Sequence, residues 1–193
     1  MLIFAKVINF FLHPVVLVTP AVFFVAYGSG ETLWNSLFWA LVSLGFTAFT
    51  SLYVLFGIRM GFFSNFDVSK REQRFFLFPV VILVGIIYFF TVFYFNGPRF
   101  LLFALVYFLI SVAILALVTF KIKASIHVGS ISAAIVSSIY FFGTEYLFLL
   151  ILIPIMIWAR IKEKRHTFKE TIVGLFLGLM LAIAGIFSVQ YFM

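Results

Sequence analysis

The chain contains no cysteine. Disulfides and thiolate metal centres are therefore excluded, and redox compartment cannot be inferred from cysteine usage. Acids are also scarce, with six Asp and Glu among 193 residues. They are too few and too peripheral for the proton or cation path of a transporter or channel, which needs ionisable side chains within the spans. A prenyltransferase is disfavoured for a related reason. It needs two acid-rich motifs to hold magnesium and diphosphate, and here Asp67 stands alone in its loop. The segment MLIFAKVINFFLH at the start lacks a small-residue cleavage site after its short apolar run, so it is read as retained chain rather than a removed signal peptide.

What the chain has in excess is apolar surface. Hydrophobic residues make up 65% of it, with 30 phenylalanines and a mean hydropathy of +1.26, where ordinary soluble domains are about 45–50% apolar. Runs of about 20 apolar residues recur along its length, the signature of spanning helices. The expectation is an all-α bundle of six or seven spans forming a single domain over 1–193, in a prokaryotic-type plasma membrane. Seven apolar segments are placed at about 3–27, 33–57, 75–95, 100–120, 124–142, 147–159 and 170–191. The first is allowed to begin as an interfacial helix around Lys6. Trp34 and Trp158 read as interface anchors.

Seven spans put loops 58–74, 121–123 and 159–169 on one face with the N-terminus. Loops 28–32, 96–99 and 143–146 fall on the other with the C-terminus. Of the 13 Lys and Arg, Arg99 alone lies on the second face. A net charge of +7 distributed this way speaks of topology and anionic headgroups, not nucleic acid.

Three polar segments on the crowded face can carry chemistry. In ARIKEKRHTFKE (159–170) seven of the twelve residues are charged. If a helix begins near His166, Glu170 lies one turn on along the same face. Its carboxylate can then fix the imidazole tautomer and leave the other nitrogen as nucleophile or base, while Arg160 can hold an anion. In KIKASIHVGSIS (121–132), Ser125 and His127 open a helix whose N-terminus can receive an anion beside Lys121 and Lys123. In NFDVSKREQRFFLFP (65–79), Arg71 and Arg74 stand three apart among basic neighbours. Each segment also has a plain reading: a solvated basic loop, a Ser cap and a snorkelling juxtamembrane cluster. His13, before Pro14, is given a packing or interfacial role. Gly174 and Gly178 are read as close packing against a neighbouring span.

Taken in order, the three segments resemble the motifs of the type 2 phosphatidic acid phosphatase superfamily. That family carries Lys, six residues, Arg-Pro; then Pro-Ser-Gly-His; then Ser-Arg, five residues, His, three residues, Asp. Arg160, His166 and Glu170 match the third in spacing, and Ser125-Ile126-His127 partly matches the second. Arg71 and Arg74 are the best placements for the first, which is degenerate. Ala124 and Ile126 replace the Pro and Gly of the second motif. Ala159 replaces the Ser, and Glu170 the Asp, of the third. The resemblance implies a lipid or isoprenoid phosphate substrate and a metal-free, cofactor-free mechanism. His166 would attack phosphorus, Glu170 orient it and His127 protonate the leaving alcohol. Arg160, Arg71, Arg74, Lys123 and Ser125 would neutralise the phosphate. His127, His166 and Arg160 are then expected to face one cleft. The alternatives are a non-catalytic relative that binds anionic lipid, and the prenyltransferase disfavoured above.

Overall fold

The computed structural model describes residues 1–192, and among them it is all-α, without strands. The order is α1 (Leu2–Phe11), α2 (Pro14–Gly28), α3 (Leu33–Arg59), α4 (Arg71–Tyr94), α5 (Arg99–Thr119), α6 (Ile126–Phe142), a 3-10 segment (Thr144–Ile151), α7 (Leu152–Lys162) and α8 (Phe168–Phe192). Six stretches are long and apolar enough to cross a membrane: Leu2–Gly28, Leu33–Arg59, Arg71–Tyr94, Arg99–Thr119, Thr144–Lys162 and Phe168–Val189. This is the pattern of a multi-pass membrane protein. The remaining helix, α6, has 17 residues, about 26 Å of rise and the lower limit for a span.

The stretch 147–159, expected as a span, is too short for one as an α-helix. The observed segment starts three residues earlier and ends three later. Its first eight residues are wound as a 3-10 helix, which rises about 2 Å per residue against 1.5 Å for α. Together with the 11 residues of α7 it reaches about 32 Å, enough for a hydrocarbon core of about 30 Å.

The chain divides into two compact units. One comprises Val18–Phe120; the other joins Met1–Leu17 to the chain from Lys121 onward. In the first, Val22, Trp39, Tyr88, Val92, Leu101 and Leu105 form the core, and the Tyr88 hydroxyl donates to the Trp39 carbonyl at 3.2 Å. Hydroxyls along α3 are satisfied internally, as a bilayer requires. Ser43, Thr47, Thr50 and Ser51 each donate to a carbonyl three or four residues back.

In the second unit, Val128, Ile131, Ile135 and Met156 form the core, with Ile8, Leu12 and Leu17 packed on it. Its tightest seam joins α6 to α8, where Gly174 and Gly178 face Ser125, Gly129 and Ser132. A Cβ on Gly174 would collide with the Ser125 backbone, and one on Gly178 with the Gly129 carbonyl. Only glycine admits this approach, so the Gly-x-x-x-Gly pair packs within the chain, as in other membrane helix pairs.

The direction of α1 corrects the reading of the first segment. Phe4 meets Trp158 in a tilted ring contact, 6.1 Å between centroids, and the Asn9 amide donates to Glu163 Oε2 at 2.7 Å. Five residues along α1 thus match five along α7, so the two helices run parallel. Met1 lies with Phe4 against Pro154, Ile155 and Trp158, about 12 Å in rise before the end of α7 at Lys162. The N-terminus is therefore not at the polar end of this unit, where it was expected. The end of α1 that reaches it is the one leading to His13.

Candidate functional site

The site is assembled on the passage from α7 to α8. Helix α7 stops in a Schellman arrangement. The Arg165 N–H donates to the Arg160 carbonyl at 3.1 Å and the Lys164 N–H to that of Ile161 at 2.9 Å. Lys164 occupies the left-handed position, with φ 55, where glycine is usual. The His166 N–H also reaches the Arg160 carbonyl, at 3.4 Å. One residue later α8 starts with a reciprocal capping box. Thr167 N–H donates to Glu170 Oε2 at 3.0 Å, and Glu170 N–H to Thr167 Oγ1 at 3.3 Å. His166 is held between a helix stop and a helix start, each with its own hydrogen bonds. The Arg, five residues, His, three residues, acid spacing is the length of this stop-and-start.

The imidazole is fixed as well. His166 Nδ1 lies 3.0 Å from Glu170 Oε2, and the His166 side chain is fully buried. An ionised carboxylate accepts only, so Nδ1 is the donor in this bond. Glu170 Oε2 therefore serves two donors, the imidazole and the Thr167 N–H. The T-x-x-E pattern that announces the second was legible in the sequence and was not read. Lys123 stands 3.7 Å from the same oxygen and donates through Nζ to the Arg165 carbonyl at 2.8 Å. It thereby ties the loop down. Arg160 is fully buried.

Helix α6 joins this loop through its own start. The Ser125 N–H donates to the Glu170 carbonyl at 3.0 Å, and Ser125 Oγ caps the helix by accepting from Val128 N–H at 3.5 Å. His127, two residues on, is 4% exposed and His166 5%. The backbone bond from Ser125 to Glu170 puts both histidines at one end of this unit, with Arg160 and Lys123. Ser125 is wholly buried, and the bond its hydroxyl makes here is the cap.

His13 is the residue that sequence reasoning passed over. Its ring meets that of His127 edge to face, centroids 4.6 Å apart and planes at 86°. Its Nδ1 accepts from the Val15 N–H at 3.2 Å, so His13 caps α2, with Pro14 in the favoured first helical position. A histidine directly before a proline was the available signal, and it was read as a packing or interfacial residue.

The candidates for the first motif lie in the other unit. Arg74 is 1% exposed and its Nε donates to the Val68 carbonyl at 3.2 Å. That bond holds the loop before α4, where Val68 has φ 45. Arg71 opens α4 on the surface, with Nε 3.8 Å from Glu72, an exposed pair of little energetic weight. Three residues of spacing thus separate a buried guanidinium from an exposed one.

The fold and this cluster define a multi-pass membrane protein with a buried histidine paired to a half-buried carboxylate at one end of a helical unit. No family model matches the chain, and no curated protein or solved structure matches it.

Proposed function

We propose that the protein is a lipid phosphatase that hydrolyses a lipid or isoprenoid phosphate through a phospho-histidine. The observation that carries this reading is the 3.0 Å bond from the buried His166 ring to the half-buried Glu170 carboxylate. In so apolar a chain, a buried imidazole with its tautomer set by a carboxylate is a poised nucleophile. His166 Nε2 attacks phosphorus, the P–O bond to the alcohol breaks, and His127 supplies the proton that the alkoxide takes. Glu170 stabilises the imidazolium phosphate. Arg160, with Lys123 and the start of α6 beside it, supplies positive potential for the phosphoryl oxygens. Arg71 and Arg74 are assigned to phosphate through the motif order alone. Water then attacks phosphorus, the P–N bond breaks and inorganic phosphate leaves.

The test is release of inorganic phosphate from a panel of phosphatidic acids, lysophosphatidic acids and polyprenyl phosphates and diphosphates, with EDTA present. Turnover undiminished by EDTA is expected. Activity strictly dependent on a divalent ion would overturn the reading in favour of metal-assisted chemistry. A second reading is supported by the capping box. Glu170 has a structural task regardless of catalysis, so the same end of the unit suits a non-catalytic receptor for anionic lipid. Saturable binding of the panel without turnover would select it.

The orientation we propose is a cytoplasmic site. With Arg71, Arg74, Lys123 and Arg160 set aside as phosphate ligands, eight basic residues remain on the polar face: Lys6, Arg59, Lys70, Lys121, Lys162, Lys164, Arg165 and Lys169. Arg99 alone opposes them. In short loops this bias marks the cytoplasm. Familiar members of the family that the motifs resemble act on the outer or lumenal face, so the two arguments diverge. Thr144 and Lys162 sit at opposite ends of one span, and both are exposed. Single cysteines there, in a chain with none of its own, should react oppositely with an impermeant thiol reagent on intact cells. Labelling at Thr144 with protection at Lys162 is expected; the reverse pattern would restore an outward site.

A further inference from the structure

We infer that His13 is a positioning residue for His127, delivered to it by α1. The inference rests on the lipid phosphatase reading, in which His127 is the general acid, and names a residue that none of the three motifs contains. Three observations converge. The ring of His13 lies edge to face against that of His127, with centroids 4.6 Å apart. The Val15 N–H donates to His13 Nδ1 at 3.2 Å, which fixes the His13 ring in turn. And α1, which ends two residues before His13, is anchored at the α7 end by the buried Asn9, whose amide donates to Glu163 Oε2 at 2.7 Å. Glu163 belongs to the same helix stop that carries Arg160 and leads to His166. One short helix is thus bolted to the nucleophile's loop and places a ring against the acid.

The physical consequence is on the rotation of His127. An imidazole that must hand a proton to an alkoxide needs its donor nitrogen aimed at the leaving oxygen. A perpendicular ring in van der Waals contact blocks rotation about the Cβ–Cγ bond and keeps that aim. His127 sits in the first turn of α6, beside the Ser125 cap. That cap fixes its backbone, while the ring contact restrains its side chain.

The experiment separates a positioning role from packing by the leaving group. An alkyl phosphate needs its leaving oxygen protonated, whereas p-nitrophenyl phosphate expels a phenolate stable at neutral pH without a proton. General-acid catalysis contributes about 100- to 10,000-fold where it is needed. The purified full chain is assayed with dioctanoyl phosphatidic acid and with p-nitrophenyl phosphate. His13→Asn keeps an acceptor for the Val15 N–H, so the α2 cap survives while the ring is lost. It is expected to lower kcat on phosphatidic acid at least tenfold, a part of the general-acid contribution, and to leave p-nitrophenyl phosphate hydrolysis within about threefold. His127→Asn should show the same selectivity more strongly, and His13→Phe, which restores a ring edge, should recover part of the loss. A second measurement is independent of turnover. Cysteines at positions 13 and 127 together should be bridged by a short bis-methanethiosulfonate, scored by mass spectrometry.

Bridging with selective loss on the alkyl phosphate is the expected result. Bridging with equal loss on both substrates makes His13 a packing residue and overturns the inference while sparing the phosphatase reading. Failure to bridge overturns it at the level of geometry. Bridging in the double-cysteine chain together with a wild-type chain that hydrolyses neither substrate takes down the phosphatase reading, and the positioning role with it.

Discussion

His166→Ala should abolish phosphate release, with a loss of at least about a thousandfold in kcat, because a missing nucleophile cannot be replaced by binding energy alone. Its fold should survive. The backbone of residue 166 is held by the Arg160 carbonyl and the flanking caps, none of which uses the imidazole. Glu170→Gln is the informative companion. A glutamine retains an oxygen for the Thr167 N–H, so the start of α8 is kept, but it carries no charge to stabilise the imidazolium. The loss should therefore be smaller than for His166→Ala, with melting temperature nearly unchanged. A 32P label trapped on wild-type protein by acid-free quenching, and missing from His166→Ala, would identify the intermediate. Label retained in the alanine variant would remove His166 from the chemistry.

The largest effect on stability is expected at the seam between α6 and α8. Gly174→Leu and Gly178→Leu each force a side chain into backbone, the former at Ser125 and the latter at Gly129. Backbone on both sides cannot yield as a flexible side chain can, and overpacking of this kind costs about 3 kcal/mol. Detergent-purified protein should lose its monodisperse peak, or melt well below wild type. Phe176→Ala is the control on the same helix, since Phe176 is 59% exposed. If the glycine variants melt with Phe176→Ala, the close approach is wrong. Spreading this seam also moves the Ser125 N–H from the Glu170 carbonyl, so any residual folded protein should be inactive.

Much of the helix order was legible because a bilayer leaves few options. The boundaries of α3, α6 and α8 follow from apolar runs bounded by Thr32, Ser125 and Thr167, all three of them caps with a side-chain bond to a backbone N–H. The spacing of Arg160, His166 and Glu170 was legible too, and so was the proximity of His166 to Glu170, one helical turn apart. Three things were not. The first apolar run reads as one segment because Lys6, Asn9 and His13 are scattered singly among apolar residues and mark no clear break. Its division into α1 and α2 depends on tertiary contacts at Phe4 and Asn9 that lie some 150 residues away, as the separation of 154 between Asn9 and Glu163 shows. The contact of His13 with His127 is hidden for the same reason. And Arg71 and Arg74, equal in sequence pattern, differ in burial because Arg74 turns back to the Val68 carbonyl.

The unit that holds His13, His127 and His166 is written at the two ends of the chain, with Val18–Phe120 between them. Synthesis imposes an order on this. Helix α1 with Asn9 is made first, His13 follows it directly, and the partners they need, Glu163 and His127, are made later. At about 5–20 residues per second, roughly a hundred intervening residues mean a wait on the order of ten seconds. During that time the Asn9 amide and the face of the His13 ring sit at a membrane before Glu163 and His127 exist. The single charge on α1, Lys6, suits that interval, since an ammonium on a flexible stem holds a short helix at the headgroups. Chemistry of any kind at this end of the molecule thus begins only once the last helix has arrived, and a ribosome stalled before Glu163 leaves a protein whose middle is built and whose site does not yet exist.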